Sequence, residues 1–382
     1  MGDRDQAMEV AELAVKRHPD YYNAWDFRGA RNLAKGNYDE AFADYSHAIK
    51  LKKNDAQLFT NRGIALSKQG KVDKAIADFD RAIELDPKYG AAYSRRGSCL
   101  NQMGKKQEAL EDCNLAVELD PDNARRYQCR ALVYTGLRKF AEAEADFSRA
   151  LELYEGDELE SIHRLFFARS YLYGMQELFD EAVRDLEKAI ELIPNQESFY
   201  CALGTARGLA SDYAGAIESF QRAIELNPTE VALYVNEVEF RVFCADIKYR
   251  SSPQTLLLAQ KAVDLQPKSS ESWAVLGLAQ CRSGAHTAAI ASASKSLELG
   301  TDEELGNYFK VGAYLVLAQS HHRLGASEEA IRRFEQANSR IIKQNLAEDF
   351  RARGSVLVFR DEVADELGRR PNGNASPQDA GQ

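Results

Sequence analysis

The residues able to do chemistry in this chain are charged and regularly spaced. Arginine and aspartate recur 16 positions apart: Arg28 and Asp44, Arg62 and Asp78, Arg96 and Asp112, Arg130 and Asp146, Arg169 and Asp185. A guanidinium fork facing a carboxylate forms a bidentate, charge-assisted pair; left unpaired in a groove, it holds an acidic ligand. Other constellations carry little. His321 and His322 are adjacent, so on a helix they point about 100° apart and do not converge on one metal. Cys99, Cys113, Cys129, Cys201, Cys244 and Cys281 contain no Cys-x-x-Cys pair. They read as buried thiols of a reducing, cytoplasmic environment, not as a zinc site or disulfide framework. No Ser-His-Asp set, HExxH, phosphate-cradling loop or paired-carboxylate pocket stands out. The chain reads as non-enzymatic, with no cofactor and no metal.

Its 382 residues carry a formal net charge of -10. An acidic surface repels phosphate, which argues against a nucleic-acid binder. No apolar run approaches the roughly 18 residues that span a bilayer, so no membrane role is expected. The start, MGDRDQAMEV, has neither the basic end nor the apolar stretch of a secretory signal.

The elements that must position these charges are given by the prolines. Pro87 and Pro121 lie 34 apart, as do Pro194 and Pro228; Pro121 to Pro194 is twice 34 plus 5, and Pro228 to Pro267 is 34 plus 5. A 34-residue period with two insertions of five therefore runs through the chain. Units begin at 22, 56, 90, 124, 163, 197, 231, 270 and 311. In each, position 4 is aromatic (Trp25, Phe59, Tyr93, Tyr127 and onward), position 8 is mostly small (Gly29, Gly63, Gly97), and positions 20 and 27 are mostly alanine (Ala41, Ala75; Ala48, Ala82). This spacing predicts two antiparallel helices per unit, in close approach where position 8 faces position 20. Bulky residues such as Phe79, Phe147, Phe220 and Phe334 fill the wider gap. Gly36, Gly70, Gly104, Gly284 and Gly325 end the first helix in the left-handed conformation, and proline stops the second.

The pattern resembles the tetratricopeptide repeat family, most clearly in 273-WAVLG-277 with Ala289, and in 200-YCALG-204 with Ala216, Phe220, Ala223 and Pro228. The resemblance covers about residues 7 to 342 and implies an all-α, right-handed superhelical solenoid of helix-turn-helix repeats. Val238, Thr255 and Ala259 depart from the pattern, so the unit at 231 is expected to pack irregularly. In the family, position 7 is usually leucine. Here five consecutive units place arginine there and aspartate at position 23. In the other four units position 7 is Leu203, Glu237, Leu276 and Leu317, and position 23 is Ser219, Leu258, Ser292 and Arg333. The two charges come and go together. Each arginine is expected to meet an aspartate of its own or a neighbouring unit, as a structural ion pair; the alternative is an arginine-lined groove for an acidic ligand.

The resemblance also implies that the first helices form a concave wall that holds a protein or peptide. On that wall the sequence selects Arg164, Phe167, Tyr171 and Met175, then Val235, Glu239 and Val242, as an apolar, aromatic stretch suited to a peptide or helix; local burial caused by the insertions is the competing reading. The family's clamp for chaperone tails needs Lys, Asn, Asn, Lys and Arg, whereas the matching positions hold Asp26, Ala30, Asn61, Ala91 and Arg95. Both lysines are missing. The function expected is a non-catalytic protein-protein interaction scaffold; a regulatory or localisation arm of a larger bacterial signalling protein, or a chaperone adaptor, are the alternatives.

At the ends, residues 3–19 match only a second helix (Ala7, Ala11, Ala14, Pro19), read either as a lone helix capped by Asp3 that covers the next unit or as the remnant of a longer array. Residues 346–367 read as a terminal capping helix with Phe350, Leu357 and Val363 inward, and 368–382 as a disordered tail. The segments 314–337 and 359–368 also look like repeats joined to some large bacterial serine/threonine protein kinases, without any kinase motif.

Overall fold

A computed structural model of the chain describes residues 2–154, 159–244, 246–250, 252–300, 307–343 and 356–369. The chain is an all-α solenoid of helix hairpins, with no strand among the described residues. It divides into two compact units, Met1–Leu172 and Tyr173–Gln382.

The first unit opens with α1 (Gly2–Arg17), which packs on α2 through buried Ala11 and Val15. The side chain of Asp3, expected as a cap, lies outside the described residues. Four hairpins follow: α2 (Tyr22–Lys35) with α3 (Tyr38–Leu51), α4 (Ala56–Lys68) with α5 (Val72–Leu85), α6 (Gly90–Gln102) with α7 (Lys106–Leu119), and α8 (Ala124–Gly136) with α9 (Phe140–Leu153). Next is α10 (Leu159–Met175), one turn longer at its start than the period predicts; the division between units falls inside it. The second unit continues with α11 (Phe179–Leu192), α12 (Glu197–Leu209) and α13 (Tyr213–Leu226). Then come α14 (Val231–Phe243), a single turn α15 (Ile247–Arg250) and α16 (Pro253–Leu265). It ends with α17 (Ser270–Arg282), α18 (His286–Leu299), α19 (Asn307–Arg323), α20 (Ser327–Lys343) and α21 (Val356–Glu366).

Small residues set the approach within a hairpin. A Cβ added at Gly63 would lie 2.6 Å from Phe79 Cε1, and one at Gly97 would lie 2.9 Å from Cys113 Sγ and 3.1 Å from the Ala109 carbonyl. Position 8 thus yields room both to position 20, as its spacing predicts, and to the bulky side chain at position 24. The turn after the first helix keeps a positive φ even where glycine is absent: Arg138 (59°), Glu177 (61°) and Ser211 (68°) occupy the position held elsewhere by Gly70 (76°) or Gly104 (79°). The hairpin's shape therefore wins over the local cost of a Cβ in that region.

Each second helix packs on the next first helix, as α3 on α4, α5 on α6 and α7 on α8. First helices also touch one another in sequence, α2 with α4, α4 with α6 and α6 with α8, and likewise α12 with α14, α14 with α17 and α17 with α19. Successive second helices lie farther apart. In each unit the first helices therefore form the inner wall.

Candidate functional site

The ladder of charges pairs inside each hairpin. Arg28 Nε and Nη2 donate to Asp44 Oδ2 and Oδ1 at 3.0 and 2.6 Å, and Arg62 reaches Asp78 at 2.8 and 2.6 Å. Arg96 binds Asp112 at 2.8 and 2.7 Å, and Arg130 binds Asp146 at 2.7 and 2.8 Å. These four carboxylates are buried. The guanidinium pKa of Arg96 is pushed up, first by the hydrogen bonds to Asp112 and against its own desolvation. Each fork also lies over the aromatic ring three residues earlier: Arg28 on Trp25, Arg62 on Phe59, Arg96 on Tyr93, Arg130 on Tyr127 and Arg169 on Phe166, at 4.9 to 5.7 Å. Arg169 and Asp185 fall in different units; Asp185 is buried on α11.

A third contact escaped the reading of the sequence. The Nη1 of four of the arginines turns back to the preceding hairpin: Arg62 to Ser46 (3.5 Å), Arg96 to Asp80 (2.6 Å), Arg130 to Asn114 (3.2 Å) and Arg169 to Ser148 (3.3 Å). All four acceptors stand two residues after a ladder aspartate, and that polar run was the available signal. Arg62, Arg96 and Arg130 thus each staple two hairpins. Where position 7 is not arginine, position 11 takes part. Arg207 donates to Ser219 (3.2 Å) and to Glu187 of the preceding hairpin (3.0 Å), and Ser292 donates to Gln280 (2.7 Å). In the hairpin of α14, Arg241 binds Glu237 at 2.6 Å within one helix, both side chains buried.

Three family models match the chain: a tetratricopeptide repeat model over residues 60–124, a TPR repeat model over 29–70, and a further tetratricopeptide repeat model over 163–196 and 197–230. These segments are tetratricopeptide repeats. None of the matches reaches 314–337, so the likeness of that stretch to kinase-linked repeats gains no support from them. Among solved structures, the APC/C hetero-tetramer Cut9–Hcn1 is similar at a TM-score of 0.56 and 13% identity, over 72% of this chain and 52% of that one. At that identity the likeness concerns the fold alone. A tetratricopeptide repeat protein from Parabacteroides merdae ATCC 43184 is similar at a TM-score of 0.49 and 21% identity, over 68% of this chain and 98% of that one. No curated protein matches.

Four ladder arginines are thus held by aspartates, and the inner wall carries other side chains. In the first unit that wall is open. Leu132, Phe167 and Tyr171 are 42%, 36% and 50% exposed, and Arg164 and Arg125 are exposed beside them in repeat position. On α6, Arg95 is exposed as a residue, but its charged head is partly desolvated. That desolvation, then repulsion from Arg125, pushes its pKa down. Among the described residues no carboxylate lies within salt-bridge distance of Arg95. Asn61 donates to Asp26 (3.0 Å), and burial raises the Asp26 pKa. Two positions of a chaperone-tail clamp are thus already bonded to each other, and one of them is an acid.

In the second unit the picture differs from the sequence expectation. Val235 and Val242 are 4% and 0% exposed, part of a buried cluster that includes Val356 and Phe359 of α21. They are core, not an open wall: the cluster that holds them runs from α14 through α16, α17 and α19 to α21, whose Phe359 lies against Phe243. Glu239 and Met175 are half-buried. Phe350 lies outside the described residues.

Among the described residues no group of three His, Cys, Asp or Glu could hold a metal, and no helix is long and apolar enough to cross a membrane. His321 and His322 are half-buried, and desolvation lowers the His321 pKa. The cysteines are free thiols; Cys113 and Cys129 share an Sγ–Sγ hydrogen bond of 2.8 Å between α7 and α8.

Proposed function

We propose that the chain is a protein-interaction scaffold whose first unit holds an acidic partner segment along its inner wall. Arg95, Arg125 and Arg164 supply positive charge, and Leu132, Phe167 and Tyr171 supply apolar contact. The observation that carries this reading is Arg95: a partly desolvated guanidinium with no carboxylate partner among the described residues, next to ladder arginines that are paired. Charge left in such a setting favours an incoming carboxylate, and exposed aromatic side chains beside it add contact area. The partner is an extended segment or helix with carboxylates next to aromatic or aliphatic side chains.

A pull-down comparing wild type with Phe167→Ala/Tyr171→Ala and with Arg95→Ala tests the reading. Partners recovered by wild type should be lost with both variants. Equal recovery with all three proteins removes this wall as the binding surface. A peptide with an acidic carboxyl-terminal tail should bind no better than one with the same acids in mid-chain; a clear preference for the free terminus would favour a chaperone adaptor instead.

A further inference from the structure

The inner wall of the second unit already carries a helix. α21 packs on α19 and α14, with Val356, Phe359, Val363 and Ala364 buried. The Phe359 ring lies 6.1 Å from that of Phe243 and 4.6 Å from the Arg282 guanidinium. Glu362 accepts from Arg250 (3.0 Å) and from Arg282 (2.6 Å). One turn on, Glu366 accepts from Gln319 (2.8 Å) and from Arg323 (2.7 Å). A helix that only closed the array would meet the last hairpin alone. α21 instead reaches Arg282 and Arg250, 80 and 112 positions back along the chain. Its described residues, Val356–Glu366, place four buried side chains on one face, against the wall.

We propose that the wall of α14, α17 and α19 is a receptor for an acidic amphipathic helix, that α21 is its resident occupant, and that a partner helix of the same pattern displaces it. The pattern is apolar at the places of Val356, Phe359 and Val363, with carboxylates at those of Glu362 and Glu366. Charge selects it: three arginines on the wall side, Arg250, Arg282 and Arg323, face two glutamates. The seat is built of separable contacts, since Arg323 and both glutamates remain partly exposed. This proposal concerns a different wall from that of the first unit and stands independently of it.

The test is fluorescence anisotropy with a labelled synthetic peptide of residues 352–369 against the full chain. The wild-type chain should bind it weakly, because α21 holds the seat. A Phe359→Ala/Glu362→Gln chain should bind it at least about tenfold more tightly, as removal of an internal competitor demands. A peptide carrying Glu362→Lys and Glu366→Lys should lose that gain. Equal affinity of both chains, or binding by neither, overturns the proposal. If the variant chain loses helix beyond α21, hydrogen exchange on the wild-type chain decides. Amides of α21 opening before those of α17 and α19 support it, and all three opening in one step overturns it. A wild-type dimer that dissociates on dilution would seat a second copy's helix on the wall and overturn occupancy within one chain.

Discussion

Asp112→Asn isolates what one rung of the ladder contributes. The carboxylate accepts from Arg96 Nη2 at 2.7 Å and from Nε at 2.8 Å; its side chain is 9% exposed and that of Arg96 is 24% exposed. Breaking a fully buried pair costs about 3–5 kcal/mol, and an exposed one about 0–1 kcal/mol. The carboxylate sits near the first limit. The guanidinium sits nearer the middle and keeps Asp80 at 2.6 Å after the change. The expected loss is therefore about 2 kcal/mol, with one asparagine N–H now forced against a donor. Glu111→Gln, at the exposed neighbouring position, should stay within about 0.5 kcal/mol. Repeat arrays do not unfold in one step, so the readout is local: hydrogen exchange of α6 and α7 amides, beside urea denaturation of the whole chain. A cycle with Arg96→Leu completes the argument. With Asp112→Leu as the other single, Arg96→Leu strands the buried carboxylate and Asp112→Leu leaves Arg96 with Asp80 alone, while Arg96→Leu/Asp112→Leu strands no buried charge and should cost about 1–2 kcal/mol less than the sum of the singles. Protection in α6 and α7 that is the same for Asp112→Asn as for Glu111→Gln would show the pair to be screened by solvent and the reasoning wrong.

Gly63→Ala should destabilise by about 1–3 kcal/mol, since its Cβ meets Phe79 at 2.6 Å in a packed core; an unchanged denaturation midpoint refutes that tight fit. Ser211→Gly should stabilise by up to about 1 kcal/mol, because Ser211 holds a φ of 68° that a Cβ disfavours; a lowered midpoint by thermal denaturation counts against it. Burial raises the Glu237 pKa above its ordinary 4.5, and Arg241 offsets only part of that. The folded state then binds this proton more tightly than the unfolded chain. The stability it contributes is complete below pH 4.5 and is lost as pH rises through the raised value. Denaturation midpoints of wild type relative to Glu237→Gln should therefore fall across that window; a flat or rising difference refutes the assignment.

The hairpins and their inner wall were legible because their signals are local. Position 8 must be small and position 15 must turn, and both show in one 34-residue window. The ladder was legible in part. Its pairs follow from spacing within a unit, but the bond from each arginine to Ser46, Asp80, Asn114 or Ser148 depends on how one hairpin meets the one before it. The fate of Val235 and Val242 was hidden for a stronger reason. Repeat position says which way a side chain points, not what packs over it, and both valines fall in a cluster that extends to Val356 and Phe359 of α21, more than a hundred residues along the chain. The sequence marks that segment as a capping helix with Val363 inward, and Glu362 and Glu366 stand at helical spacing on it, but neither feature names the arginines they meet.

The charged rungs also answer why such a stack would give up leucine at position 7. An apolar contact there tolerates small rotations of one hairpin against the next, since burial has little directional demand. A planar fork held by its own hairpin's aspartate, laid on an aromatic ring and donating once to the preceding hairpin, fixes distance and angle together. The position-11 side chains show that the requirement belongs to the joint and not to one place in the repeat. Arg207 makes the same two-way bridge, to Ser219 and Glu187, from one turn farther along its helix. Because the aspartates satisfy the ladder arginines, those charges contribute to the shape of the wall and not to its ligand. On the function proposed above, recognition in the first unit then falls to Arg95, Arg125 and Arg164 with the exposed Leu132, Phe167 and Tyr171.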